Sequence, residues 1–395
     1  TSSIFTNKSV FAIPGVALVR IISAEAPEKS LAGALSEAIV EELLIYNANT
    51  EAGAFSFRRI NRGESSVIPR YTRFSLIVRF PRRIMGNANA KTVDLENWMS
   101  LLPGQVKEKP IAEIAIPGSH DSFTAKITDK SDVAPDAEQI LKDLSVLGPI
   151  VKEVIARWSI TQTYMAAGQL LRGIRYFDIR SATKKGTDDI YICHALYSDT
   201  VKSCLEEING FLDKHPKEVV VLDFQHFYGF DEEIHKTYVQ LIKSTFGSKI
   251  APNYLQMDST SLNSLVKAGY QVLIVYRTND TDFFPSSTFP NPWPNTVSKE
   301  DLITSLYKGI ANRNSSIPFI SQCVLTPDAE FIIAHVFSSL KEKCAIELDN
   351  DRCDWIEKQS AGKGGLNIII ADFIELNDNK YVRDVISVNQ KVFSN

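Results

Sequence analysis

Two histidines and a small set of acids and arginines fall at the ends of apolar runs in this 395-residue sequence. "IAEIAIPGSHDSF" is apolar up to Pro117-Gly118 and then presents His120 and Asp121. "RYFDIR" carries Asp178 and Arg180 two residues apart, on one face of an extended segment. "ICHALYS" supplies His194, "VVLDFQHF" supplies Asp223 and Gln225 on one face, "LIVYR" ends on Arg277, and "IIIADF" carries Asp372. Charges among apolar strands are costly to bury unless paired, so their recurrence at run ends is poorly explained by packing. Two imidazoles, a guanidinium and orienting carboxylates suit acid–base phosphoryl transfer. One imidazole removes a proton from an attacking hydroxyl, and the other donates one to the leaving oxygen. A guanidinium fork meets the phosphate oxygens where charge develops. His226 alternates with Gln225 and is expected to point away from this set; with His215 and His235 it reads as structural.

The elements that must hold these groups follow from the patterning. From residue 111 onward, short β-branched runs alternate with helical segments, among them the amphipathic "DAEQILKDLSVLGPIVKEVIARW" and "VKSCLEEINGFLDKH". Strands alternating with helices mean βαβ units and a parallel sheet. Five or more such units over about 280 residues predict an α/β fold closed into a TIM-like (β/α) barrel, with chemistry at the C-terminal strand ends. No GxGxxG or Walker loop argues for an open nucleotide-binding sheet. Residues 1–95 differ: "SVFAIPGVALVRIISA", "GAFSFRRINR" and "RYTRFSLIVRF" predict a small β-rich, sandwich-like domain. "KSLAGALSEAIVEELLIY" is ambiguous between helix and strand, and residues 96–110 read as a polar linker ahead of the barrel at 111–395. Eight arginines between Arg58 and Arg83, with Glu64 the only acid among them, form either a solvated strand face or a patch for peripheral contact with anionic lipid.

A net charge of −4 and a pI near 5.9 give no global positive field, so nucleic acid is not an expected partner. No apolar run reaches the roughly 18 residues of a membrane helix. The sequence begins at Thr1, so removal of a preceding segment is expected. Five cysteines lack paired CxxC spacing, which argues against a structural metal. Cys344 with Cys353, and Cys193 with Cys204, could close small disulfide loops; free thiols are the alternative. Sequons at Asn7, Asn279 and Asn314 are about as many as chance supplies. They leave secretion as the expectation, with a cytoplasmic chain as its alternative. Trp293, in "NPWPNT", is either a lipid-facing aromatic at the mouth or a packed loop residue.

"IPGSHDS", "WSITQT…QLLRGIRYFDIR", "CHALYS", "HPKEVVVLDFQHFY", "NPWPNT", "LTPD" and "NIIIADFIE" resemble, in order, the X-domain of the phosphatidylinositol-specific phospholipase C superfamily. The match is closest to the animal X-domain-containing proteins without further modules, and it runs from about residue 107 to the C-terminus. The resemblance implies that His120 is the general base toward the inositol 2-hydroxyl and that His194 is the general acid toward the diacylglycerol oxygen. It further implies that Asp372 orients His120 and that Asp121 assists His194. Arg180 falls where calcium-dependent relatives carry an acid, and Asp121 and Gln225 replace an asparagine and a glutamate. The implied enzyme is therefore of the metal-independent type, needs no cofactor, and cleaves a phospholipid at a membrane surface. Asp178, Asp223, Gln225 and Arg277 are the expected substrate-binding residues, although Gln225 departs from the bacterial-type lysine and leaves headgroup preference open. The absence of a Lys/Arg cluster at the strand ends favours unphosphorylated inositol. The competing expectations are a non-catalytic phosphoinositide-headgroup binder and a metal-dependent phosphodiesterase acting on glycerophosphodiesters or sphingomyelin.

Overall fold

The computed structural model describes residues 93–278 and 282–393, together with four short strands ahead of them. The chain separates into two units, Thr1–Lys91 and Thr92–Asn395. In the first, β1 (Val10–Ile13) pairs antiparallel with β2 (Val16–Val19), and β3 (Ala54–Ser56) pairs antiparallel with β4 (Ser75–Ile77). The sandwich expected of residues 1–95 and its arginine-rich face lie otherwise outside the described residues.

The second unit begins earlier than the expected barrel. Much of the polar 96–110 segment is folded, with helices at Trp98–Leu101 and Gly104–Lys107. Trp98 and Met99 are buried, and the Trp98 indole donates to the Gly173 carbonyl at 2.8 Å. Glu218 accepts from the Ser100 amide at 2.9 Å while ion-pairing with Arg175 at 2.9 Å, with both side chains buried. One tryptophan and one buried acid therefore bind into the core what composition reads as a linker.

Six parallel strands make the body of this unit: β5 (Ile116–Ser119), β6 (Tyr176–Thr183), β9 (Val220–Tyr228), β10 (Val272–Tyr276), β11 (Ile320–Gln322) and β12 (Ile368–Ala371). They lie in the order β10-β9-β6-β5-β12-β11. β10 and β12 are wholly buried, as parallel strands covered by helices must be. The covering helices start on side-chain caps. Thr200 accepts from the Ser203 amide ahead of Val201–Lys214, and Asp231 accepts from the Ile234 amide ahead of Glu232–Phe246.

Three details depart from a regular barrel. First, no ladder joins β10 to β11 among the described residues. The segment 284–290 spans that seam: the Phe284 amide donates to Ile274 and its carbonyl accepts from Tyr276, and the Pro290 carbonyl accepts from the Ile320 amide. Second, β7 (Ile190–His194) and β8 (Leu196–Thr200) are antiparallel additions, β7 pairing with the last three residues of β6, and are not part of the parallel array. His194 therefore lies in the tip of a hairpin rather than at the end of a parallel strand. Third, the amphipathic stretch after Asp136 is not one helix. It divides into Glu138–Asp143, a 3-10 turn at Ser145–Ile150 and Val151–Ser159, because Gly148 (φ 56°) and Pro149 interrupt it.

Candidate active site

Gly118 allows β5 to enter the site at close quarters. A Cβ there would lie 2.9 Å from both the Ile370 Cγ2 and the Tyr176 Cδ1, so only glycine fits between the neighbouring strands. The chain then turns sharply, with Asp121 at φ 39° and Phe123 at φ 73°. Ala195 and Phe373, each one residue after His194 and Asp372, are also left-handed at φ 58° and 47°. Non-glycine residues in this region mark backbone that the surrounding structure holds against its preference. Gln162 secures two of the three turns, its side-chain amide donating to the carbonyls of His120 at 2.8 Å and Ala371 at 2.9 Å.

On this frame His120, Asp121, Asp178, Arg180, His194 and Asp372 come together. His120 Nδ1 lies 2.9 Å from Asp372 Oδ1, and its Nε2 lies 3.5 Å from Asp121 Oδ2. His194 Nδ1 lies 2.9 Å from the Ser159 carbonyl, which can only accept, so this nitrogen carries a proton. His194 Nε2 thus faces Asp121 Oδ2 at 3.4 Å. A single buried carboxylate stands between the two Nε2 atoms, with its other oxygen ion-paired to the Arg180 guanidinium. Asp178 is also buried and accepts from the Asp121 amide at 3.3 Å.

The charges bias one another. Burial alone would lower His120, but Asp121, Asp372 and Asp178 outweigh it and raise its pKa to about 9. Burial works to raise Asp121, yet Arg180 and the two imidazoles hold it below the ordinary carboxylate range. Asp178 goes the other way, to about 6, through burial and the Asp121 charge. Two neighbouring acids are thereby pushed apart, a pattern common where protons are exchanged.

The residues expected to bind substrate separate. Asp223 is fully buried and engaged on both oxygens: Arg277 grips it through Nε at 2.8 Å and Nη2 at 2.7 Å, and the Tyr176 hydroxyl donates at 2.6 Å. In this arrangement it holds Arg277, whose side chain is 16% exposed. Gln225 lies partly open, its amide 3.5 Å from the Tyr176 hydroxyl.

His226 does not point away as alternation predicts. Ile179 pairs with Phe224 but Arg180 pairs with His226, so β9 carries one extra residue, a β-bulge at Gln225. Beyond the bulge Phe227 packs outward among Phe230, Tyr238 and Tyr276, while His226 and Tyr228 share the site face with Arg180. The bulge, the Ser159 carbonyl and Gln162 are the parts sequence reasoning missed. The last two sit in "WSITQT", at the end of the helix Val151–Ser159 and in the loop after it rather than at a strand end.

A metal fits poorly here. His120, Asp121 and Asp178 bring donor atoms within 4.8 Å of one another. However, Asp121 is committed to Arg180 and His120 holds its proton, whereas a calcium ion takes roughly six to eight oxygen ligands. The five cysteines are buried free thiols rather than disulfides. Trp293 is 57% exposed, its indole donating to Thr326 Oγ1 at 2.9 Å.

Two imidazoles about a carboxylate and a guanidinium, one imidazole at the end of a parallel strand and the other in the hairpin tip beside it, make a phosphodiesterase-like site. The phosphatidylinositol-specific phospholipase C X domain matches residues 153–278. PI-PLC X domain-containing protein 3 of Mus musculus is 40% identical over 301 residues, covering 74% of this chain and 93% of its own length. PI-PLC X domain-containing protein 2 of Mus musculus is 37% identical over 311 residues, covering 77% and 90%. The chain belongs to the family of PI-PLC X domain-containing proteins. In fold it is similar to the phosphatidylinositol-specific phospholipase C of Listeria monocytogenes, with a TM-score of 0.50 at 18% identity over 75% of this chain and 99% of that one. The Staphylococcus aureus enzyme gives a TM-score of 0.54 at 17% identity over 75% and 98%.

Proposed function

We propose that this protein cleaves the phosphodiester of phosphatidylinositol, or of a related inositol glycolipid, through a cyclic inositol 1,2-phosphate with release of diacylglycerol. The observation carrying the reading is Asp121, held between the Nε2 atoms of His120 and His194 and ion-paired to Arg180. In the fraction of molecules whose His120 has given up its own Nε2 proton, that nitrogen takes the proton of the inositol 2-hydroxyl while the oxygen attacks phosphorus. His194 is pinned through Nδ1, which leaves Nε2 as the nitrogen to pass a proton to the departing glycerol oxygen. Arg180 supplies positive charge to the phosphoryl oxygens in place of a cation, so the reaction is metal-independent. Asp372 orients His120, and Asp121 stabilises the imidazolium of His194. The substrate lies at a membrane surface. Five unpaired buried thiols support the cytoplasmic alternative over a secreted chain.

One observation favours the headgroup-binder reading. His120 near pKa 9 is an imidazolium at neutral pH, and with Arg180 and Arg277 it makes a site that would hold an anion without turning it over. Phosphorus NMR of the products from phosphatidylinositol separates the readings. A cyclic 1,2-phosphate signal in EDTA, lost in His120→Ala, is expected. Cleavage abolished by EDTA would point to a metal-dependent phosphodiesterase, and binding without product to the binder.

A further inference from the structure

The bulge in β9 puts a third histidine on the site face. His226 pairs with Arg180 across the β6–β9 ladder, and its ring stacks on Tyr228 at 6.1 Å and 20°. The ring remains open to solvent, unlike His120. Two guanidiniums lie toward it, Arg180 along the ladder and Arg277 from β10, and Arg277 is held in place by Asp223. No hydrogen bond or ion pair within the described residues engages either ring nitrogen. What singles the ring out is its place: backbone register fixes it on the site face beside Arg180, where a bound ligand can reach it.

The chemistry narrows the ligand. Desolvation against the site face and the Arg180 charge, with Arg277 adding to them against the pull of Asp121, keep His226 below its ordinary value although its edge reaches solvent. At neutral pH the ring is therefore uncharged, with one N–H donor and one bare nitrogen acceptor. That pair complements a hydroxyl, which accepts and donates. It does not complement a phosphate, which asks only for donors and gains most from positive charge.

We infer that His226 hydrogen-bonds a ring hydroxyl of the bound headgroup, and that it sets the preference for an inositol ring carrying no further phosphate. This rests on the inositol-lipid reading above. The bulge is what allows it: in regular β9 pairing only Gln225 would face the site, and the extra residue adds His226 beside it.

Two measurements on the full chain test the assignment. The first titrates myo-inositol against the imidazole Cε1–H resonances, that of His226 being assigned by its disappearance in His226→Gln. Saturable movement of the His226 signal is expected. His226→Phe, which keeps the ring stack on Tyr228 but not the donor and acceptor, should weaken inositol binding about tenfold. His226→Gln, which keeps both, should stay within about threefold. The second compares phosphatidylinositol with phosphatidylinositol 4-phosphate in His226→Lys, which should shift the preference toward the phosphorylated lipid at least about tenfold. Wild-type inositol binding by His226→Phe, or a His226 signal that inositol does not move, overturns the inference. Cleavage by His226→Phe with unchanged KM and kcat overturns it while leaving the catalytic reading intact. Absence of cleavage in the wild type, with inositol still moving the His226 signal, overturns the catalytic reading and leaves this one standing.

Discussion

Replacing Asp372 with asparagine removes one charge next to His120 and little else, because the two side chains are nearly isosteric. In the native protein His120 Nδ1 meets Asp372 Oδ1 at 2.9 Å, with both side chains largely shielded from water. A hydrogen bond to a charged partner contributes about 1.5–3 kcal/mol, and a pKa unit corresponds to about 1.4 kcal/mol. Asp372→Asn should therefore lower His120 by about one to two units, from about 9 toward 7–8. Asp121 at 3.5 Å and buried Asp178 remain to prevent a full return to an ordinary histidine. The assay is a proton NMR titration of the histidine ring signals between pH 5 and about 10, with His120 assigned by its loss in His120→Gln. It needs no substrate, so it tests the electrostatics apart from the chemistry. A His120 midpoint that stays put or rises in Asp372→Asn would refute the claim that this carboxylate holds the proton on the ring. If His120 is also the base, the acidic limb of kcat/KM against pH should move down by the same interval.

Arg180→Ala should lower turnover of phosphatidylinositol by about 10²–10³-fold, and added calcium should not restore it; rescue by calcium, read as product release, would contradict the role given to the guanidinium. His120 also links folding to pH. Its folded pKa of about 9 lies above the unfolded value of 6.5, so its contribution, at most about 3 kcal/mol, is complete below pH 6.5 and disappears as pH rises through 9. Melting temperature should fall across that interval, and His120→Gln should flatten the slope; equal slopes in both proteins would count against it. Glu218→Ala strands the buried Arg175 charge and two amide donors, and should cost about 3–5 kcal/mol in urea unfolding. A loss below about 1 kcal/mol would mean that the 98–107 helices are not secured as described.

Much of the site was legible because polar residues at the ends of apolar runs are rarely accidental. His120, Asp178, Arg180, Arg277 and Asp372 all emerge where β5, β6, β10 and β12 end or run on, and the parallel order of these strands follows from the alternation with helices. The rest was hidden for identifiable reasons. The β-bulge lies inside "VVLDFQHFY", a run that reads as one unbroken strand, so alternation assigned His226 to the wrong face. Asp223 and Gln225 do share a face, but periodicity says nothing of depth, and Asp223 is fully buried against Arg277 and Tyr176 while Gln225 lies partly open. "IYICHALY" has the composition of a barrel strand, whereas only tertiary pairing reveals that it folds back as a hairpin. Cysteine spacing permitted two small disulfide loops, and the thiols of all five are instead free and buried.

The adjacency of β5 and β12 carries a consequence for how the protein is made. Of the six parallel strands, β5 is synthesised first and β12 last, yet Ile116 pairs with Ile368 and His120 meets Asp372 across 252 positions of sequence. A growing chain can place β6 against one side of β5 early, while the other side, and the imidazole at its tip, waits for nearly the whole unit to leave the ribosome. Such distant pairing is slow to form and exposes an unpaired apolar edge in the meantime. A chain ending before Ile368 would keep both histidines and lose the carboxylate that aligns the first. Assembly of this site thus requires the chain to be made through β12, since strands from opposite ends of the unit are joined beside the His120–Asp372 contact.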